Sequence, residues 1–508
     1  MREIFLAPHQ LGVGGRTTAV FAQAEMFLRL GLAPTVLTFN YDGRFESSIA
    51  SRRASSQIPD GVRVRNIYLD LMEQNSVPGE ANWSMAEDDE VDGLIEQDDL
   101  FEKDRFIRYF DRHGEYIKFR RWDGGGAPVQ TTYFQARRAV VRREYNSAGF
   151  CGLEYHYDLV TGKVNQERYY TADGFCYLAR WINPNSGAHA GLYVNSREVG
   201  KSRRFAHNVP WHVDWLEGLM KGAAGRPTLV AHSSGAARKV IDVKPGLADR
   251  VFVWHENHFK PPFRFGADIR DDYADTFKRF AEMPAVVVAT EAQAADLRRR
   301  YPDAHNVHVV PNRIRTAPTV EGAEKAEGRI GVFSRLHPGK RIDQLIRIIP
   351  AIRKAIPAAN LHVYGRGPER AALENLTREL SLDDYVTFHG QISDVSAAMS
   401  RCQVTVSTSE VESFGLAIGE SLAAGTPVVA YDINYGPSDQ IRDGVDGRLV
   451  PDNKPKQLTK RLIEVLSDPE RAAVMGTSGR ERMADQFGHA TVVARWRHLL
   501  DIDGESQV

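Results

Sequence analysis

The chain has 508 residues, 42% of them hydrophobic and 26% charged, the balance of a globular protein long enough for two or three domains. Lys plus Arg number 65 and Asp plus Glu 66, a formal charge of -1, which excludes a global basic field recruiting nucleic acid or an anionic membrane and makes any anion site local. Cys151, Cys176 and Cys402 are the only cysteines, too few for a disulfide framework or a multi-cysteine metal site and in keeping with a reducing compartment.

The start, MREIFLAPHQLGVGG, joins a short apolar run directly to a glycine loop, without the longer apolar region and small-residue cleavage site of a signal peptide. Nowhere do the roughly 18 consecutive apolar residues of a membrane span occur. The expected location is cytoplasmic, with peripheral association at the inner membrane face left open. The first elements read as a strand at Ile4 to Ala7, a turn with Gly12, Gly14 and Gly15, a helix from Thr17 to Leu30 and a strand from Thr35 to Thr38, a βαβ opening. The turn is not a phosphate-binding P-loop, because no Gly-Lys-Ser/Thr closes it. Thr17 stands where a dinucleotide fingerprint has its third glycine, although Gly15 still lets a ligand approach a helix N-terminus closely.

From about Tyr68 the texture changes. An acidic stretch near Glu87 to Asp99 leads into alternating segments such as YIKFRRW, punctuated by DRHGEY, NSAGF, LVTGKV and TADGFCY, each with glycine at or near the tip. This predicts an inserted antiparallel β-sheet domain. Its RRAVVRREY stretch, with Arg137, Arg138, Arg142 and Arg143, reads either as a basic strip for a polyanion or as the solvated face of a strand. Near Pro227 buried-strand patterns resume: TLVAHS, RVFVWH, AVVVAT and VHVVPN, then RIGVFSR, NLHVYGRG, YVTFHGQ, VTVSTS and TPVVAYD. Apolar strands alternating with amphipathic helices predict two parallel, doubly covered sheets, with ligands in the cleft at the strands' carboxyl ends. The expected division is 1–68 and 206–315 for the first Rossmann-like domain, 69–205 for the insertion, 316–489 for the second Rossmann-like domain, and 490–508 for a helix crossing back and a tail.

Four segments carry candidate chemistry. STSEVESFGLAIGESLAAGTPVVA sets Glu412 in a loop after a strand and Glu420 eight residues on, in a helix expected to open at Phe414 or Gly415. The amides of Phe414, Gly415 and Leu416 then face an anion at a helix N-terminus. GVFSRLHPGKRIDQLI offers Arg335 and Lys340, two cations able to neutralise a diphosphate leaving group. YGRGPER and TFHGQISD bring Gly365, Arg366 and His389 to strand ends, where a nucleotide can be met. WHENHF places His255 and His258 after a strand, fitted for hydrogen bonding to substrate and lacking a third metal ligand. No metal site is expected, and Asp443 and Asp446 read as turn residues.

Taken together, Arg335 with Lys340, the YGRGP turn, FHG, and Glu412-x7-Glu420 followed by AAGTPVVA resemble the nucleotide-sugar domain of retaining family-4 glycosyltransferases of the GT-B architecture. The β insertion, WHENHF and YDINYGPSDQI followed by DGVDGRLV are similar to the wall teichoic acid α-glycosyltransferases and to the related enzymes acting on serine-rich adhesins. The resemblance implies an α/β protein whose two Rossmann-like domains face a cleft. It implies no cofactor beyond the UDP-sugar donor, metal-independent transfer of a hexose (glucose or N-acetylglucosamine) with retention, and an acceptor that is an anionic glycopolymer or a Ser/Thr-rich protein. On the same basis Arg335 and Lys340 bind the diphosphate, Glu420 the ribose, Glu412 and His255 the sugar, with Asn257 and His258 nearby and Gly15 beside the diphosphate or sugar. A homo-oligomer formed through the inserted sheet is expected, and a noncatalytic GT-B scaffold subunit is the alternative from another functional class.

Overall fold

The computed structural model describes residues 1–11, 15–77, 93–101, 103–315 and 325–502. Glycines 12 and 14 of the first turn, residues 87–92 of the acidic stretch and most of the 315–328 segment lie outside the described residues. Two compact units, Met1–Arg250 and Val251–Val508, divide the chain.

In the first unit, β1 (Glu3–His9), β2 (Ala33–Thr38) and β3 (Arg63–Asn66) are parallel and consecutive, with Phe5 opposite Thr35 and Thr35 opposite Arg63. Ten strands later the chain returns as β14 (Thr228–Ala231), which pairs parallel with β1, Ile4 opposite Thr228. Leu6, Val36, Leu37, Leu229 and Val230 are fully buried, as strands covered on both faces require. The first helix, Gly15–Arg29, opens two residues before the expected start.

The intervening strands are β4 (Ile95–Phe101), β5 (Asp104–Phe110), β6 (Tyr116–Trp122), β7 (Pro128–Gln135), β8 (Arg138–Tyr145), β9 (Cys151–Tyr157), β10 (Val164–Tyr170), β11 (Cys176–Ile182), β12 (His189–Ser196) and β13 (Lys201–Phe205). They form one ten-stranded antiparallel sheet in chain order. Its hairpins follow a local rule. Asp111, Asp123 and Asn146 each turn a side-chain oxygen onto amides two and four residues ahead, and Gly114, Gly126 and Gly149 follow at φ of 81°, 81° and 85°, where a side chain would be strained. Three of the turns along one end of the sheet meet the parallel part of the unit. Arg44 reaches Asp123 at 3.7 Å, the Ser147 amide donates to the Gly43 carbonyl at 3.0 Å, and the Arg197 amide donates to Asn75 Oδ1 at 2.7 Å. A buried aromatic cluster completes the joint: Tyr68 lies 5.0 Å from Tyr169 and 5.3 Å from Trp211, and Arg180 donates to the Tyr68 hydroxyl at 2.6 Å.

The second unit opens with β15 (Asp249–Trp254), β16 (Ala285–Val288) and β17 (Val307–Val309), paired in parallel. It continues with a six-stranded parallel sheet of β18 (Arg329–Phe333), β19 (Asn360–Tyr364), β20 (Val386–Gly390), β21 (Val404–Ser407), β22 (Val428–Asp432) and β23 (Gly447–Pro451), in the order β20-β19-β18-β21-β22-β23. The order reverses at β18 and β21, the switch point where such sheets hold ligands. Helix Ile342–Ala355 buries Ile342, Leu345, Ile346, Ile349 and Ile352, a helical stripe worth about 1.5–3 kcal/mol per fully buried side chain. The last helix, His489–Leu499, buries Val492 and Trp496 and returns to β17, with Arg495 donating to the Val309 carbonyl at 3.0 Å. Mixed α/β architecture with parallel sheets and an antiparallel sheet in the N-terminal half is what the sequence led us to expect.

Candidate active site

Strand β21 ends at Ser407, and residues 408–415 lead into helix Leu416–Ala423. The helix opens later than Phe414 or Gly415, because Gly415 takes φ 81° as its N-cap and Phe414 turns inward, 1% exposed, with its ring 5.8 Å from Phe487. Phe414 is therefore core, and the amides available to an anion begin at Leu416. The Glu420 carboxyl sits one turn in; desolvation raises its pKa, opposed by the Arg315 guanidinium. Glu412 lies in the loop, where Ser409 Oγ donates to its Oε1 at 2.9 Å and Lys340 forms an ion pair with the same oxygen.

That ion pair joins two loops at the switch point. The Thr408 hydroxyl donates to the Lys340 carbonyl at 2.7 Å, the Glu410 amide to the Gly339 carbonyl at 2.8 Å, and Arg341 to the Ser409 carbonyl at 3.0 Å. Arg335, five residues before Lys340, is exposed and makes no ion pair with any described residue. Its loop rests on the YGRG turn: the Leu336 amide donates to the Arg366 carbonyl at 2.9 Å, and a Cβ on Gly365, at φ 135°, would lie 1.9 Å from the Ser334 oxygen. Gly365 is thus required for the approach of two backbones, while Arg366 extends into solvent. The Gly365 amide donates to the Gly390 carbonyl at 2.8 Å, linking the turn to the end of β20. His389 stacks at 4.4 Å on Tyr364 and hydrogen-bonds His362 at 2.7 Å; burial lowers the pKa of both histidines, His362 to about 4.

After β15, His255 is half-buried, whereas its two neighbours in WHENHF turn inward. Asn257, 3% exposed, donates to the carbonyls of Phe263 at 2.9 Å and Asn434 at 3.1 Å. His258 is fully buried between Phe259 and Phe277, and burial, with Arg300 adding to it, lowers its pKa to about 3. Its ring packs in the core, with no surface exposed for a direct hydrogen bond to a ligand. Asp446 is also buried, accepting from the Arg442 amide and guanidinium at 2.6 Å, and Asp443 accepts from the Leu449 amide at 3.0 Å. They are turn residues, but DGVDGRLV also supplies β23, which its glycines hid.

His255, Arg335, Lys340, Gly365, Arg366, Glu412, Gly415, Leu416 and Glu420 all follow strand ends of the second unit, His389 lies in β20, one residue before its end, and the contacts above tie Lys340 to Glu412 and the Arg335 loop to Gly365 and Arg366. Gly15 begins the first helix of the first unit. That unit also has a cavity of about 250 Å³ at the carboxyl ends of its strands, lined by Gln10, Thr38, Asn40, Tyr41, Arg52 and Asn66 among others. Two of the four arginines in the insertion's basic strip face carboxylates. Arg143 pairs with Glu154 at 2.9 Å, Arg142 with Glu144 at 3.1 Å, and Arg138 donates to the Leu159 carbonyl. Among the described residues no three His, Cys, Asp or Glu side chains gather as a metal site, no helix is long and apolar enough to cross a membrane, and the three cysteines form no disulfide.

Known proteins share this arrangement. Residues 314–482 match the profile of glycosyl transferases group 1. The chain is 25% identical to the poly(ribitol-phosphate) alpha-N-acetylglucosaminyltransferase of Staphylococcus aureus (strain COL), over 99% of this chain and 100% of that protein. To the poly(glycerol-phosphate) alpha-glucosyltransferase of Bacillus subtilis (strain 168) it is 22% identical, over 96% of this chain and 73% of that protein. A crystal structure of a mutant of S. aureus TarM in complex with fondaparinux, alpha-GlcNAc-glycerol and UDP superposes with a TM-score of 0.86 at 23% identity, covering 99% of this chain and 100% of that one. Residues 314–482 thus match a group 1 glycosyltransferase domain, and the chain shares the fold of that structure along its length.

Proposed function

We propose that the chain is a retaining α-hexosyltransferase that moves N-acetylglucosamine or glucose from a UDP-sugar to an anionic cell-wall polymer of polyol phosphate. The observation that carries this reading is the Lys340–Glu412 ion pair beside the exposed Arg335, which pairs with no described residue, at the switch point of the six-stranded sheet. Two cations and the open amides of helix Leu416–Ala423 suit a diphosphate whose negative charge grows as the bond to the sugar breaks. Lys340 passes from Glu412 to the diphosphate, which releases the Glu412 carboxylate to accept from a sugar hydroxyl. Glu420 accepts from the ribose hydroxyls, and His255 donates to the sugar. The bond from the anomeric carbon to the β-phosphate oxygen breaks, an acceptor hydroxyl oxygen bonds that carbon on the same face, and its proton passes to the departing phosphate. No metal enters this scheme.

The cavity at the carboxyl ends of β1–β3 suits the acceptor, with amides and hydroxyls for a polyol and Arg52 for a phosphodiester. The full-length likeness to a polymer-modifying enzyme favours this acceptor over a Ser/Thr-rich protein. Self-association through the inserted sheet and a cytoplasmic site of action, in peripheral contact with the inner membrane face where the polymer is assembled, complete the reading. The test is UDP release in EDTA from UDP-glucose, UDP-N-acetylglucosamine and UDP-galactose, with poly(ribitol phosphate), poly(glycerol phosphate) or a Ser/Thr-rich polypeptide. Release from one donor, stimulated by one polyol phosphate, is expected. Stimulation by the polypeptide alone overturns the acceptor, donor binding in the absence of any release refutes the acceptors tried, and absence of donor binding points to the scaffold.

A further inference from the structure

Residues 433–440 connect three parts of the second unit. Toward the Glu412 loop, the Tyr435 amide donates to the Glu412 carbonyl at 2.7 Å and the Glu412 amide to the Asn434 carbonyl at 3.4 Å. Toward helix Leu416–Ala423, Gly436 lies so close that a Cβ on it would be 1.9 Å from the Phe414 oxygen, and the Gln440 side-chain Nε2 donates to that same carbonyl. Toward the β15–β17 segment, the Tyr435 hydroxyl donates to Asp296 Oδ2 at 2.8 Å, with Asn434 at 3.4 Å from the same oxygen. Asp439 Oδ1 accepts from the Glu291 and Ala292 amides at the start of helix Glu291–Arg300. Asn257 holds the Asn434 carbonyl from the loop after β15.

Packing explains the Tyr435 ring, which is 1% exposed and nearly parallel to His258 at 6.1 Å. It does not explain the hydroxyl, since phenylalanine fills the same space. Burial raises the pKa of Tyr435, so the hydroxyl keeps its proton and donates. A residue whose backbone holds Glu412 and whose side chain is tethered to a carboxylate 139 positions away transmits the position of one helix to a donor-contacting loop.

We propose that Tyr435 and Asp296 are positioning residues for glycosyl transfer. By anchoring residues 434–436 to helix Glu291–Arg300 they set the backbone of Glu412 and Phe414, and with it the aim of the Glu412 carboxylate and of the first amides of helix Leu416–Ala423. This rests on the reading of Glu412 as a donor contact. Misplacement of a contact by about 1 Å can cost a hundredfold in rate, and loss of one of several tethers costs less.

The experiment compares wild type, Tyr435→Phe, Asp296→Asn, Asp296→Ala, Glu412→Gln and the Tyr435→Phe/Glu412→Gln double variant by UDP release and by amide hydrogen exchange of residues 410–416 and 432–437. Tyr435→Phe is expected to lower kcat about tenfold with donor KM changed less than about threefold. Asp296→Asn, which keeps an acceptor for the hydroxyl, loses less than Asp296→Ala. In the Glu412→Gln background the Tyr435→Phe effect shrinks, because the part that acts through the carboxylate is already lost. Exchange at the Glu412 and Tyr435 amides accelerates in Tyr435→Phe. Unchanged kcat in Tyr435→Phe, or full additivity in the double variant, overturns the proposal while the glycosyltransferase reading stands. If wild type turns over no donor, that reading fails and exchange decides alone: acceleration supports the tether, and unaltered exchange refutes it.

Discussion

Replacing Glu412 by Gln should tighten UDP binding. In the free protein Lys340 is held by Glu412, with the two side chains 18% and 21% exposed, and a diphosphate has to take the ammonium away from that carboxylate. A hydrogen bond to a charged group contributes about 1.5–3 kcal/mol; partial exposure places this pair at the lower end, near 1.5 kcal/mol. Neutralising the carboxylate removes most of that competition, and about 1.4 kcal/mol is tenfold in affinity. The expected result of calorimetric titration with UDP is therefore a Kd roughly tenfold lower in Glu412→Gln than in wild type. With an intact UDP-sugar the gain shrinks, since Glu412 then also serves the sugar, and kcat falls. Ser409 Oγ stays within reach of the new amide oxygen, so the loop keeps its second tie. An unchanged or higher Kd for UDP would show that Lys340 reaches the diphosphate without leaving Glu412, and the competition argument would be wrong.

Lys340→Ala and Arg335→Ala should each lower kcat/KM by about a hundred- to a thousandfold, near 3 kcal/mol, as for the loss of one donor to a developing anion; losses under threefold in steady-state UDP release would remove them from the site. Gly365→Ala should lose on the order of 3 kcal/mol of stability, because its Cβ would meet the Ser334 oxygen at 1.9 Å at a φ of +135°; a Tm within a degree of wild type would show that the two backbones move apart freely. At Glu154 burial acts to raise the pKa, but hydrogen bonds from His156 and Arg143 outweigh it and bring the carboxyl from 4.5 to about 2. A lowered carboxylate stabilises above its unfolded pKa and loses that contribution as pH falls from about 4.5 toward 2. The Tm deficit of Glu154→Gln should accordingly be larger at pH 7 than at pH 3, and an equal deficit at both would refute the assignment.

Local signals were readable and distant partners were not. The hairpins of the insertion announce themselves because the residue that caps the turn and the glycine at positive φ are three positions apart, as in Asp111 and Gly114. The buried strands announce themselves by apolar runs. Strand β23 escaped because Gly444 and Gly447 read as a turn, and β3 because Arg63 and Arg65 break its four residues. The basic strip stays open between two readings for a related reason: Glu154, which pairs with Arg143, sits 11 residues on in the neighbouring strand. In the site, charge and spacing single out Arg335, Lys340, Glu412 and Glu420, but the Asp296–Tyr435 link spans 139 positions. The segment YDINYGPSDQI drew notice for its likeness, while no spacing rule points from a tyrosine to an aspartate that far upstream.

The ten-stranded sheet meets the parallel part of its unit through three turns along one end. Arg44 at Asp123, Gly43 at Ser147 and Asn75 at Arg197 are its footings, and an antiparallel meander sends the intervening turns, around His113, Arg137, Val160 and Asn185, to the opposite end. Val160 there is 84% exposed. The two rows of turns are therefore unequal in what they permit. A fluorophore, an affinity tag or several extra residues spliced into a turn of the far row leaves every footing in place, while the same splice in the near row lifts the sheet off its base. The odd and even hairpins of one repetitive ribbon are thus separate engineering sites, and the far row is where a label can report on this arm without bending it.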